Sequence, residues 1–227
     1  MKLLAIISAL GILSSLVYYL AAIVAGLMFA HRANSEPKPM PKIPPRVAIL
    51  KPLRGLTENL RANIVSYLEI AYARVEFIFG VSSYEDRAID VPVSLRAPYQ
   101  FANMTVAIGE EAGVTNRKVA KLIRMTERAS EKADIFVLSD ADVSVEPDHL
   151  KRVVAELTEN EKTGIVTCVY RGCAHESFAS RMEALFINTD FAPQVILAES
   201  LEPMRYALGA TIAIKREALD AIGGFRA

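Results

Sequence analysis

Apolar side chains occupy positions 3–30 without a single charged residue, and one helical crossing of a hydrocarbon core needs about 20 of them. A membrane-spanning helix is expected there. The run exceeds the roughly 7–15 residues of a secretory h-region, and no small-x-small cleavage pattern precedes the polar turn, so a retained anchor is expected rather than a cleaved leader. Residues 34–45 then read NSEPKPMPKIPP. Proline fixes φ and removes backbone donors, so this stretch predicts an extended linker.

From residue 46 the pattern changes. Short β-branched or aromatic runs at 47–50, 75–81, 104–108, 135–139, 165–170 and 211–214 alternate with helical periodicity around 58–68, 117–129, 148–159, 178–198 and 217–222. That alternation predicts an α/β domain with a largely parallel sheet. Pro147 and Asp148 ahead of Leu150, Val153, Val154 and Leu157 mark a helix start, with Asp148 as its cap. The expected organisation is an anchor over 1–31, a linker over 32–45 and one α/β domain over 46–227.

Charge narrows the partners. Lys and Arg together number 26 and so do Asp and Glu, so no net field holds a polyanion, and nucleic acid is not an expected partner. Only Lys2 precedes the apolar run, whereas Arg32, Lys38, Lys42, Arg46 and Lys51 follow it, opposed early by Glu36. The positive-inside tendency then places the folded domain on the cytoplasmic side of the cell's inner membrane, as a single-pass protein. The linker cations are expected against anionic lipid head groups. The two cysteines, Cys168 and Cys173, have no His pair at ligand spacing and read as small apolar residues near a strand in a reduced, cytosol-facing domain.

The segment IFVLSDADVSVEPDHL, 135–150, runs an apolar strand directly into Asp140 and Asp142. Ligands of open α/β sheets bind at the carboxyl ends of strands. Residues i and i+2 of an extended chain share a side, roughly 7 Å apart, so the two carboxylates can serve one site. Mg²⁺ or Mn²⁺ takes one or two carboxylates plus phosphate oxygens, which suits a nucleoside diphosphate leaving group. Taken alone, Asp-x-Asp reads equally as a turn whose carboxylates cap local amides. Asp86, in VSSYEDRAI (81–89), leaves a second strand where it can accept hydrogen bonds from uracil or ribose; alone it is a solvated loop residue. In GVTNRKVAKL, 113–122, Gly113, Asn116 and Lys118 stand at a helix start, where free amides and a cation favour a diphosphate. Alone that is a basic helix with its cap.

Together these segments resemble the ceramide glucosyltransferase-like branch of the family 2 glycosyltransferases, across nearly all of 47–225. The resemblance implies a GT-A fold, a mixed and mostly parallel sheet flanked by helices. VAILKPLRG, 47–55, is similar to the family's opening strand and its Lys-Pro-Leu-x-Gly turn, which puts Lys51 among the nucleotide-sugar-binding residues. Asp86 matches the family's first Asp, Asn116 and Lys118 its Asn-x-Lys motif, and Asp140 its second Asp; Asp140 and Asp142 are the implied metal ligands. ALGATIAIKREALDAIGGF, 207–225, resembles the acceptor-side segment. GIVTCVYRG, 164–172, and ALFINTDFAP, 184–193, look closest to bacterial hopanoid-biosynthesis-associated glycosyltransferases.

Two departures stand out. Ala120 and Lys121 replace the Asn-Asn that many relatives carry after the Lys motif. The family's third acidic residue, the general base, and its Gln/Arg-x-x-Arg-Trp motif are expected beyond Ala227, and the chain contains no Trp. Glu183, Asp190, Glu199 and Glu202 lack the matching context, with Glu183 expected as a buried partner on an apolar helix face. His31, His149 and His175 read as ordinary surface or core residues. The resemblance thus implies transfer of glucose or N-acetylglucosamine from a UDP-sugar to a ceramide- or hopanoid-like lipid hydroxyl, with inversion and a divalent cation. The missing base leaves open a truncated, non-catalytic membrane protein that only binds a nucleotide sugar.

Overall fold

The computed structural model describes residues 1–36 and 38–226. By contact the chain divides into two units, one of Met1–Glu36 with Val169–Tyr206, the other of Pro37–Cys168 with Ala207–Ala227.

The second unit carries the sheet. Its strands are β1 (Val47–Pro52), β2 (Val75–Val81), β3 (Met104–Ile108), β4 (Ile135–Ser139), β5 (Ile165–Thr167) and β6 (Thr211–Lys215), in spatial order β3-β2-β1-β4-β6-β5. The pairs among β1 to β4 are parallel, whereas β6 runs antiparallel to both β4 and β5. Helices α2 (Leu60–Leu68), α3 (Asp90–Leu95), α4 (Arg117–Arg128), α5 (His149–Glu159) and α8 (Arg216–Ala221) belong to this unit.

Strands β1 and β4 are buried at every position, as near-continuous apolar runs covered on both faces must be. Their side chains alternate between two cores. Ile49 and Val137 pack with Ile64 and Tyr67 of α2 and Leu150 and Val154 of α5. Ala48, Leu50, Phe136 and Leu138 pack with Leu122 and Met125 of α4 and Leu219 of α8. Gly80 in β2 lets α4 approach, since a Cβ there would stand 2.4 Å from the Met125 sulfur.

Several local expectations change. Asp148 makes no side-chain cap and instead pairs with Arg152 at 2.6 Å, one helical turn on. Lys38 joins Glu156 (2.7 Å) and Glu159 (2.5 Å) on α5, and the hydrogen bonds it donates to those carboxylates raise its pKa. Tertiary carboxylates outcompete solvent for a linker cation. The short helix α3, with Pro92 inside it, was not expected. The strand expected over 165–170 ends at Thr167, where the Leu208 N–H donates to the Thr167 hydroxyl at 2.7 Å.

The first unit is helical. Helix α1 (Lys2–Asn34) is long and apolar enough to cross a membrane and runs past the expected end at residue 31. The expected helix over 178–198 appears as α6 (Phe178–Phe186), a π-helical turn (Ile187–Phe191) and α7 (Ala192–Leu201), in helical conformation throughout. Pro193 lacks the N–H that a regular turn would use there. Glu183 is exposed rather than buried. Cys168 is half-buried, with its thiol pushed up to about 11 by burial, and Cys173 is exposed.

Candidate active site at the strand tips

The strand order reverses between β1 and β4, because β2 and β3 continue to one side of β1 and β4 adds to the other. Such a switch opens a crevice beyond the carboxyl ends of the two strands. The residues that follow them meet there: Pro52, Thr57, Lys118, Lys121, Asp140, Ala141 and Asp142 line one cavity of about 280 Å³.

Asp140 is set by its backbone, whose N–H donates to the Ala210 carbonyl at 3.1 Å. Its carboxylate is ion-paired with the Lys118 ammonium, which also donates to the Gly209 carbonyl at 3.1 Å. Both side chains of this pair are about two-fifths exposed, so solvent weakens the attraction and a stronger cation can displace the ammonium. Two carboxylates on one cavity are the hard oxygen donors that Mg²⁺ or Mn²⁺ prefers, and the remaining positions suit phosphate oxygens. Among the described residues no cluster of three or more His, Cys, Asp or Glu is placed to enclose a metal. The donor set fits a divalent cation whose remaining positions are filled from outside the protein.

Lys51 lies beneath this cavity. Its side chain is 0% exposed, and its ammonium donates to the Ser139 hydroxyl (3.2 Å), the Asp140 carbonyl (2.6 Å) and the Val143 carbonyl (3.0 Å). All three donors are matched. The Tyr67 ring centroid lies 4.1 Å away, and the Tyr67 and Ser139 hydroxyls share a 2.6 Å hydrogen bond. Burial pushes the Lys51 pKa down to about 7, against the pull of Asp142 and Asp140. The same burial pushes the Tyr67 phenol up to about 12. Lys51 thus braces the loop that presents Asp140 and Asp142, rather than facing the cavity itself.

A second cavity, of about 560 Å³, is lined by Arg54, Gly55, Leu56, Ser82, Ser83, Glu85, Asp86, Arg87 and Arg117. Asp86 shapes its wall by accepting from Gly55 N (2.9 Å) and from Ala88 N (3.0 Å), which caps the 3-10 turn Arg87–Ile89. Gly55 reaches it with φ 61, a conformation that favours glycine. Asn116 is committed differently. Its Oδ1 caps α4 by accepting from Lys118 N (3.0 Å) and Val119 N (3.3 Å), so it aims the start of α4 and lines neither cavity.

Lys121 was not among the sequence candidates. It is buried, donates to the Leu53 carbonyl at 2.8 Å and lines the cavity of Asp140. Burial lowers its pKa, while Glu110 and Asp86 pull the other way. Its spacing of three from Lys118 puts both cations on one helix face, the signal that could have found it. Arg54, Arg87 and Arg117 were also missed; Arg117 is held by Glu110 at 3.1 Å.

Asp140, Asp142, Lys118 and Lys121 thus line one cavity at the β1/β4 switch of a mixed α/β sheet. The chain belongs to a named group of sugar-transferring proteins: the family described as Glycosyl transferase family 21 matches residues 7–227. It is 27% identical over 209 residues to ceramide glucosyltransferase 1 of Caenorhabditis elegans, covering 92% of this chain and 44% of that protein. With ceramide glucosyltransferase 3 of the same organism it is 25% identical over 219 residues, covering 96% and 47%. The chain therefore spans about half the length of these relatives. Among solved structures, the mannosyltransferase PcManGT from Pyrobaculum calidifontis, in complex with GDP-Man and Mn²⁺, superposes with a TM-score of 0.64 at 19% identity, over 92% of this chain and 57% of that one. The fold is GT-A-like, a mixed α/β sheet flanked by helices.

Proposed function

We propose that this chain binds a UDP-sugar, UDP-glucose or UDP-N-acetylglucosamine, across the two strand-tip cavities and passes the sugar to a ceramide- or hopanoid-like lipid hydroxyl. The observation that carries the reading is the convergence of Asp140, Asp142, Lys118 and Lys121 on one cavity at the β1/β4 switch. The base and ribose belong in the cavity of Asp86, whose arginines and hydroxyls suit a polar nucleoside; the diphosphate belongs beside the lysines.

Asp140 and Asp142 would hold a Mg²⁺ or Mn²⁺ ion, which supplies positive charge to the departing diphosphate. Lys118 and Lys121 add cationic charge on the same side, and Lys51 fixes the loop so that no reorganisation is needed as charge develops. The acceptor oxygen attacks the anomeric carbon from the face opposite UDP. The carbon–oxygen bond to phosphate breaks as the new bond forms, which inverts the centre, and the hydroxyl proton passes to a carboxylate base. That base is not assigned to any described residue. Helix α1 anchors the chain as a single span, and the cations after it favour the cytoplasmic face of the inner membrane, where lipid acceptors are confined to the same surface.

The test is transfer of labelled sugar from each UDP-sugar to ceramide and to a hopanoid alcohol in vesicles, beside an Asp140→Ala control. Product well above the control supports transfer. UDP and Mn²⁺ that bind without mutual enhancement in the parent chain would overturn the site. Enhanced binding without product would leave a nucleotide-sugar-binding protein and remove the transfer step.

A further inference from the structure

Helix α6 is turned inside out for a helix in water. Phe178, Met182, Leu185 and Phe186 follow one another at spacings of four, three and one, which gathers them into a stripe about 100° wide. These four are 78%, 43%, 52% and 55% exposed. The opposite side is the buried one: Ala184 sits against Gly172, where an added Cβ would stand 2.7 Å from the Ala184 Cα. Asn188 clamps that inner side, accepting from Gly172 N and donating to the Gly172 carbonyl, each at 2.9 Å. The outward direction of the stripe is thus fixed by contacts on its far side.

What covers the stripe follows from where the helix leads. Backbone conformation stays helical from α6 through Ile187–Phe191 into α7. Helix α7 packs on α1, with Val195 buried on α7 and Ala22 and Ala25 buried on α1. Those two alanines lie inside the uncharged run 3–30, so α7 reaches the depth of the apolar span. Arg32 and Glu199 close the pair with a 3.1 Å ion pair, where the span gives way to polar sequence. On α6, exposed Arg181 borders the stripe, a position from which a cation reaches head groups while its stem lies on acyl chains. An apolar face bordered by a cation, on a helix that runs on into α7 where α7 packs against the apolar helix α1, has the build of an interfacial membrane helix.

We propose that α6 is a second membrane-contacting element, lying in the bilayer surface with Phe178, Met182, Leu185 and Phe186 in the acyl region. The proposal rests on the reading of α1 as a membrane span. It adds a lipid-facing surface 144 positions beyond the end of α1, counted from Asn34 to Phe178.

The test places an environment-sensitive NBD label at single cysteines, Phe178→Cys, Met182→Cys and Phe186→Cys, in the full chain carrying Cys168→Ala and Cys173→Ser. The chain is reconstituted in vesicles of phosphatidylcholine and phosphatidylglycerol, with Glu183→Cys as the same-helix control and Ile12→Cys as the control for α1. Doxyl-labelled lipid is expected to quench the three stripe labels at least about twofold more than Glu183→Cys, with iodide showing the reverse order. Stripe labels open to iodide, with Ile12→Cys still quenched by lipid, would overturn the proposal and leave the anchor standing. Stripe labels sheltered from both quenchers would also overturn it, since a second copy or another protein segment then covers the face. Ile12→Cys open to iodide would remove the anchor reading itself.

Discussion

The two strand-tip cavities sit on the same sheet and differ in how they use their charged groups. Around Asp86 the carboxylate is occupied by backbone, holding Gly55 and Ala88 in place, and the cationic charge comes from Arg54, Arg87 and Arg117, the last of them held by Glu110. Around Asp140 the carboxylate is paired with the partly exposed Lys118 ammonium, and Asp142 lines the same cavity. The first arrangement builds a wall. The second keeps carboxylates available for exchange between a lysine and a stronger cation. The proposed donor, whose nucleoside would stay bound while the bond between sugar and diphosphate breaks, would use that division.

The largest expected effect is at the exchangeable carboxylates. Asp140→Asn together with Asp142→Asn should lower transfer by about 10²–10³-fold, on the scale of removing an electrostatic transition-state contact, while the circular dichroism melt stays near the parent's. Lys118→Met comes next. Transfer should drop about tenfold or more, yet Mn²⁺ measured without UDP should bind more tightly, because the competing ammonium is gone. Weaker Mn²⁺ binding in that variant would show that the ion pair does not mark the cation position.

Asp86→Ala should act on the wall. Donor KM is expected to rise about tenfold with kcat little changed, and stability to fall by about 1–2 kcal/mol, as Gly55 N and Ala88 N lose their acceptor. Equal losses of kcat from the Asp86 and Asp140 variants would erase the difference between the cavities. The smallest effect concerns Lys51. Its folded pKa of about 7 lies below the ordinary 10.5, so between those values the unfolded chain binds more protons and stability rises with pH. That contribution is complete above the unfolded value and lost as pH falls toward 7. The parent should gain about 1–2 kcal/mol between about pH 7 and 9, measured by urea titration, and Lys51→Met should show a flatter profile. The Tyr67 and Tyr72 phenols, both pushed up to about 12 by burial, act in the opposite sense only above about pH 10.

Strands β1 to β4 were readable because buried parallel strands need uninterrupted apolar residues, and little else in the chain has that texture. Asp140 and Asp142 were readable because the first follows such a strand directly and the second stands two positions further on. Lys51 was legible as a residue of interest but not as a buried one, since burial of a strand-end cation depends on Tyr67 and on carbonyls 89 and 92 positions away. Lys121 was hidden for a related reason: its partner, the Leu53 carbonyl, lies 68 positions earlier. The direction of β6 was equally hidden, as one strand's pattern is the same whether it pairs parallel or antiparallel. Segment 169–206 groups by contact with residues 1–36, a long-range choice with no local signature.

Local periodicity and chain order by themselves determined an apolar helix at the front, an alternating α/β chain behind it and two carboxylates at a strand exit. Those features depend on neighbours a few residues apart. Tertiary structure decided which charges are occupied and which stay available, and turned the apolar stripe of α6 outward. Burial and pairing are properties of distant segments brought together, and no short window of sequence contains them.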